Sequence, residues 1–183
     1  MLGPVSGRDR RTLAIAHRSG NSVAGLREAL DAGVDLVECD VHLHRTALEV
    51  RHHKLLGRHH LWDKWEVVRR ADLGVAQLSH LLTELGDDPR LMMDLKGIDP
   101  RLAGRVAEVL RDHNSEPPFT VCTKHWWMLE SFPDPVRRVL SASNGAAVRR
   151  LLRRLGRRRA YGVSIRLSLL TPALVAAPQE RTE

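Results

Sequence analysis

At 183 residues, with 43% hydrophobic and 28% charged residues, the chain is long enough for one domain with a sizeable core, and its composition excludes a disordered protein. No apolar run approaches the roughly 18 residues of a membrane span, and the N-terminal MLGPVSGRDRRT lacks the apolar centre of a secretion signal. Two cysteines, Cys39 and Cys122, without CxxC spacing exclude a disulfide framework and a structural zinc site, so the expectation is a reduced, cytoplasmic protein.

Residues 1–10 are expected to be disordered ahead of a single domain. Residues 12–17 read as a strand. SVAGLREALDA (22–32) reads as a helix with Val23, Leu26 and Leu30 on one stripe and Gly33 as its stop. DLVECDVHLH (35–44) is a second strand, and EVRHH ends a short third run. A helix is predicted at 75–85, a strand at 90–96 (RLMMDLK), and a helix at 100–113 with Leu102, Val106, Val109 and Leu110 at helical spacing. FTVCTK (119–124) is a strand followed by a helical stretch through Leu129. VRRVLSAS (136–143), a helix near 145–155, the strand YGVSI and a short helix from about 171 complete the order. This alternation implies right-handed βαβ units on a parallel sheet, with chemistry at the carboxyl ends of the strands.

The net charge of +7 raises nucleic acid as a partner. Its excess is concentrated in RRLLRRLGRRR, seven arginines between residues 149 and 159, without the interleaved aromatic residues that a single-strand stacking platform requires. No nucleic-acid partner is expected. The run reads first as a solvated helix face and second as a contact for an anionic surface.

In the second strand, period-2 alternation sends Val37, Cys39, Val41 and Leu43 to one face and Glu38, Asp40, His42 and His44 to the other. Buried carboxylates require a cation or a partner, and two of them at i and i+2 can share one hard divalent ion. A wet edge strand would explain each residue singly. Asp94 and Lys96 share a face in the same way near the end of a later strand. Six of the ten histidines lie between residues 42 and 60, which admits zinc, although no HExxH or cysteine supports it. His52 ends its run as His17 ends the first strand. Two histidines beside a carboxylate-bound metal suit a general acid and base near neutral pH.

The ordered elements AHR with Asn21, AL.AGVDLVE.DVHL, a histidine after a short strand, and LMMDLKG resemble the glycerophosphodiester phosphodiesterases. The resemblance is strongest over residues 13–56 and runs to about 175. It implies an α/β fold of the (β/α)8 TIM-barrel type, related to the phospholipase-C-like phosphodiesterases. The strands counted allow about six βα units, so the family's C-terminal two units are expected to be lacking. It also implies His17 and His52 as catalytic acid and base, Arg18 and Lys96 as phosphate-binding, and Glu38, Asp40 and Asp94 as ligands of Ca²⁺ or Mg²⁺. Asp94 stands where the family usually has Glu. The implied reaction is metal-dependent hydrolysis of a small glycerophosphodiester, or a lysophospholipid-like substrate of lipid metabolism, to an alcohol and glycerol-3-phosphate. Two alternatives stand beside it: an inactive truncated relative binding an anionic partner through its arginine-rich segment, and a zinc metallohydrolase. An incomplete barrel would leave exposed sheet edges for a second copy of the chain to cover.

Overall fold

A computed structural model describes residues 13–113, 119–158, 160–172, 174 and 175. The expected disordered N-terminus lies outside them, and the helix expected from 171 falls largely outside them. The first strand β1 (Ile15–Ala16) leads through a short 3-10 turn, Ser19–Asn21, into helix α1 (Val23–Asp31). The Ser22 side chain starts α1 by accepting the Gly25 N–H at 3.1 Å, and Leu26 and Ala29 form its buried stripe. Strand β2 (Leu36–His44) follows, then β3 (Ala47–Val50). Three short strands, β4 (Lys54–Leu56), β5 (His60–Asp63) and β6 (Glu66–Arg69), form a separate antiparallel sheet. The chain returns through β7 (Ala76–Gln77) and α2 (Leu78–Leu85) to β8 (Leu91–Leu95), α3 (Arg101–Asp112) and β9 (Thr120–Thr123). A 3-10 stretch (Trp126–Ser131), β10 (Arg137–Ala142), α4 (Gly145–Leu155) and β11 (Gly162–Ile165) complete the order.

The body of the main sheet is six parallel strands in the order β1-β2-β8-β9-β10-β11. Its registers bring Glu38 opposite Met92 and Asp40 opposite Asp94. Beyond Asp40, β2 outruns the barrel and turns into an antiparallel ladder with β3, on which β7 pairs in turn. Among the described residues β1 pairs only with β2 and β11 only with β10, so the sheet does not close.

The core lies between the outer face of this sheet and the helices. Val37, Cys39, Val41, Leu91, Met93 and Val121 are buried there against stripes such as Leu102, Ala103 and Val106 of α3. Burying such side chains is worth about 1.5–3 kcal/mol each. The inner face carries a much smaller apolar cluster, Met92, Cys122 and Val139 with Leu36 against it. Helix α4 is capped by Asn144, which accepts the Ala147 N–H at 2.9 Å, and buries Ala147, Val148, Leu151 and Leu155. Its arginines consequently point away from the core.

Six parallel strands agree with the sequence count. Three details differ from it. The helix expected at 75–85 begins only at Leu78, because Ala76 and Gln77 pair with β3 as β7. The segment after β9 is a 3-10 turn rather than an α-helix, and the histidine-rich stretch folds as the three-stranded sheet, where no strands were expected.

Candidate active site

The first strand ends at Ala16, just before His17, and the chain must then double back over the carboxyl end of β2. Arg18 makes that reversal with a left-handed backbone, φ 63°. Gly20 permits the close approach: a Cβ there would lie 2.9 Å from the Cys39 Cβ and 3.0 Å from the Glu38 carbonyl oxygen. The approach delivers three interactions to β2. The Arg18 backbone N–H donates to Glu38 Oε2 at 2.7 Å. The Asn21 amide donates to Asp40 Oδ2 at 3.0 Å, and its Oδ1 accepts the Asp40 N–H at 2.7 Å. Asn21 thus clamps Asp40 by side chain and backbone together.

Glu38, Asp40 and Asp94 meet on the inner face of β2 and β8, with ligand oxygens all within 4.8 Å of one another. Glu38 and Asp40 are buried and Asp94 half-buried. Lys96, next on the inner face of β8, places its ammonium 2.8 Å from Asp40 Oδ1 and in direct contact with Asp94. Burial raises the Asp40 carboxyl, but the hydrogen bond and charge of Lys96, with the hydrogen bonds of Asn21 and His52, outweigh it and hold Asp40 down at about 2. Glu38 receives only the backbone N–H of Arg18, so burial and the neighbouring Asp40 charge push it up to about 7. Burial opposes the charge on Lys96, and the carboxylates of Asp94 and Asp40 more than restore it, so its pKa rises above the usual value.

The two histidines flank this cluster. His17 is largely exposed, with Nε2 3.8 Å from Glu38 Oε2. Burial of its inner part, then the Arg18 charge, lowers its pKa. His52 places Nδ1 3.1 Å from Asp40 Oδ2 and Nε2 3.2 Å from Asp63 Oδ1. Asp63 comes from β5, so the three-stranded sheet supplies a partner that the sequence alone did not single out.

A buried ion network fixes the approach to His52. The Arg51 guanidinium donates to Glu49 Oε2 at 2.8 Å, with side chains 3% and 2% exposed, and also bonds the His53 carbonyl. Arg70 grips the other Glu49 oxygen, and the Arg51 N–H donates to the Asp40 carbonyl at 3.0 Å. His42 shares the inner face but stays outside the cluster. Burial, then the Arg51 charge, pushes it down to about 3, and its Nε2 is buried with no hydrogen-bond partner among the described residues.

The sequence-read residues Glu38, Asp40, Asp94, Lys96, His17 and His52 therefore gather at one end of the parallel strands. Arg18 joins them through its backbone, while its side chain is exposed. The other histidines do not join a metal-binding group: among the described residues, the three carboxylates are the one set of three or more ligand residues close enough to hold an ion. When all three are ionised, the carboxylates against one ammonium leave a net charge of −2, and all three donors are hard oxygens, so the set fits a divalent cation of the Ca²⁺ or Mg²⁺ kind, whose charge favours the ionised form of Glu38. Beside it opens a cavity of about 680 Å³, lined by His52, Asp94 and Lys96 together with the ends of β9, β10 and β11.

An open parallel β/α barrel with an acidic centre at the carboxyl rim of its strands is the class of protein these features define. Neither a protein-family model nor a curated protein matches the chain. Solved structures do. A phosphodiesterase from Oleispira antarctica, in complex with the product sn-glycerol-3-phosphate, is similar over 94% of this chain and 82% of its own, with 18% identity and a TM-score of 0.72. Glycerophosphodiester phosphodiesterases from Thermotoga maritima (16% identity, 85% and 74% covered, TM-score 0.66) and Agrobacterium tumefaciens (18% identity, 93% and 84% covered, TM-score 0.64) are similar in the same way. The chain has the TIM-barrel-type fold of the glycerophosphodiester phosphodiesterases, which is the fold its motifs implied, with a sheet that among the described residues stops short of closure.

Proposed function

We propose that the chain is a metal-dependent phosphodiesterase that hydrolyses glycerophosphodiesters to an alcohol and glycerol-3-phosphate. The observation that carries this reading is the convergence of Glu38, Asp40 and Asp94 within 4.8 Å, flanked by His17 and His52, at the rim where such barrels place their chemistry. The product bound to the Oleispira antarctica phosphodiesterase supports the substrate class by analogy of fold. We place the enzyme in the cytoplasm on its two free, buried cysteines; no helix among the described residues is long and apolar enough to cross a membrane.

In this reading Glu38, Asp40 and Asp94 hold the cation, Ca²⁺ or Mg²⁺, which when bound offsets charge on the phosphate oxygens. Arg18 and Lys96 complete the cationic surround. Lys96 also keeps Asp40 and Asp94 from repelling one another. One histidine takes a proton from the attacking hydroxyl as its oxygen bonds to phosphorus, and the other returns a proton to the alcohol oxygen as the opposite P–O bond breaks. His52 is held by Asp40 at Nδ1 and by Asp63 at Nε2, and Nε2 serves as its working atom by exchanging Asp63 for the substrate oxygen.

Assay of sn-glycerol-3-phosphate release from glycerophosphoglycerol, with Ca²⁺, Mg²⁺ or EDTA, tests the reading. Turnover is expected to require a divalent ion and to fall at least about a hundredfold in His17→Ala. Turnover indifferent to EDTA, or to His17→Ala, rejects it.

A second reading, an inactive relative that binds an anionic partner, has one observation in its favour. Arg150, Arg153, Arg154, Arg157 and Arg158 line a common face beside Trp126, with the Arg150 guanidinium 5.9 Å from its ring. Salt-sensitive binding to anionic vesicles without any turnover supports that alternative.

A further inference from the structure

The charge on the two sides of the site is unequal. The β2–β8 side carries the carboxylates. The cavity beside them is lined on its other walls by Lys54, Lys124 and Arg166, with Ser141, Ser143 and Ser164 between. Parallel register explains the wall. Asp94 lies opposite Cys122, so Lys124, two residues on, faces inward beside Lys96 at the end of β9. Ser141 lies opposite Ser164, so Ser143 and Arg166 occupy the next inward row at the ends of β10 and β11. Lys124 is level with Ser141 and Ser164, so Arg166 stands two strands across and one inward row further on, about 12 Å between backbones at about 4.8 Å per strand and 3.3 Å per residue, a span that a lysine and an arginine side chain can close around one anionic group. Lys54 reaches in from the three-stranded sheet, its ammonium held 4.9 Å from the Trp62 ring centroid.

Asp94 is the one carboxylate among the described residues that line this cavity, and it already pairs with Lys96. Lys124 and Arg166 are exposed, and neither has an ion pair among the described residues. Among the described lining residues there is no Phe, Tyr or Trp, so the wall holds no cage for a quaternary ammonium. Hydroxyl groups between cations suit the oxygens of a phosphate or carboxylate.

We propose that the preferred substrate is a glycerophosphodiester whose alcohol bears a second anionic group, bound by Lys124 and Arg166 with the serine hydroxyls of β10 and β11. The proposal rests on the phosphodiesterase reading for the site beside it, and it assigns the specificity that reading leaves open. It sets the chain apart from an enzyme built for choline or ethanolamine diesters, whose cationic heads this wall repels.

The test uses a matched pair, glycerophosphoinositol and glycerophosphoinositol 4-phosphate, which differ only in the added phosphate. kcat/KM is expected to be about fivefold higher for the phosphorylated diester, the scale of two exposed charge contacts. The ratio should shrink as NaCl is raised and fall to one or below in Lys124→Glu/Arg166→Glu. The single variants Lys124→Ala and Arg166→Ala, both at exposed positions, provide intermediate steps if the double reversal folds poorly. Equal turnover of the two diesters by the unaltered chain, or a preference that survives in the variants, overturns the proposal while leaving the phosphodiesterase reading intact. If neither diester is turned over, that reading fails, and calorimetric binding of the same two compounds decides this one. Tighter binding of the phosphorylated compound, lost in the variants, supports the cationic wall, and equal binding rejects it.

Discussion

Two places in this molecule bury carboxylates within a few residues of each other, and they are solved in opposite ways. On β3, Glu49 is enclosed by Arg51 and Arg70, so a single buried carboxylate faces two guanidinium groups that satisfy both of its oxygens. On the inner face of β2 and β8, Glu38, Asp40 and Asp94 share one ammonium, that of Lys96. The first group is closed by the protein's own charges. It holds the chain on either side of His52 and ties it to the Asp40 carbonyl through the Arg51 N–H. The second is left anionic, and Glu38 registers the deficit by rising to about 7 under burial and the charge of Asp40. Burial of charge is therefore no mark of function by itself; an unbalanced burial at the carboxyl ends of parallel strands is.

Breaking the closed network should have the largest effect on stability. Glu49→Ala leaves the Arg51 guanidinium buried, and removal of one member of such a pair costs about 3–5 kcal/mol. Urea unfolding should show that loss with or without divalent ions. A cost below about 1 kcal/mol would mean that solvent reaches Arg51 and would dissolve the contrast with the open centre.

The open centre should respond to ligand instead. A cation at a hundred times its dissociation constant is expected to raise unfolding free energy by about 2.7 kcal/mol. Glu38→Gln should abolish most of that gain, yet in EDTA be at least as stable as the unaltered chain, because the amide removes a buried charge and keeps an acceptor for the Arg18 N–H. A Glu38→Gln variant that is strongly destabilised in EDTA would show that the carboxylate is structural. Gly20→Ala acts on the same centre from behind. The added methyl meets the Cys39 side chain and the Glu38 backbone, and overpacking of this kind costs about 1–3 kcal/mol. It should also weaken cation binding by displacing Asn21 from Asp40, readable by calorimetry, and unchanged affinity would sever that link.

The open centre was the more legible of the two. Period-2 alternation in LVECDVHL separates Glu38 and Asp40 from Val37, Cys39 and Val41, and burial of the latter three follows the pattern. The parallel strand count and most helix positions were equally readable, because α1, α3 and α4 carry apolar stripes bounded by caps or glycine. The closed network was not readable. Glu49 and Arg51 alternate with Leu48 and Val50, a pattern that a half-exposed strand shares, and nothing local says that Arg70 returns from 21 residues away. Asp63 was missed for a related reason. HLWD is four residues of mixed polarity, and its value as a strand comes from pairing with β4 and β6 rather than from its own sequence. Asn21 belonged to the recognised motif, but its double hold on Asp40 depends on the backbone reversal at Arg18, which no residue preference announces.

A third pair calibrates the contrast from its weak end. Asp88 and Arg90 form a bidentate bridge at 2.6–3.0 Å in the turn before β8, and both side chains remain partly open to water, 24% and 32% exposed. Arg90 also donates to the Leu30 and Val34 carbonyls at 3.3 and 3.2 Å, so it stays anchored when Asp88 is changed. Asp88→Asn is expected to cost no more than about 1 kcal/mol. The hydrogen bond from Arg90 lowers the Asp88 pKa below its ordinary value of 3.8. That contribution is therefore present above pH 3.8 and is lost as pH falls through the lower, folded-state value. The difference in urea midpoint between the variant and the unaltered chain should close in acid and persist at pH 7. Should Asp88→Asn instead cost as much as Glu49→Ala at pH 7, the mere presence of a carboxylate–guanidinium pair would set the energy, and the weight placed on burial at β3 would be misplaced.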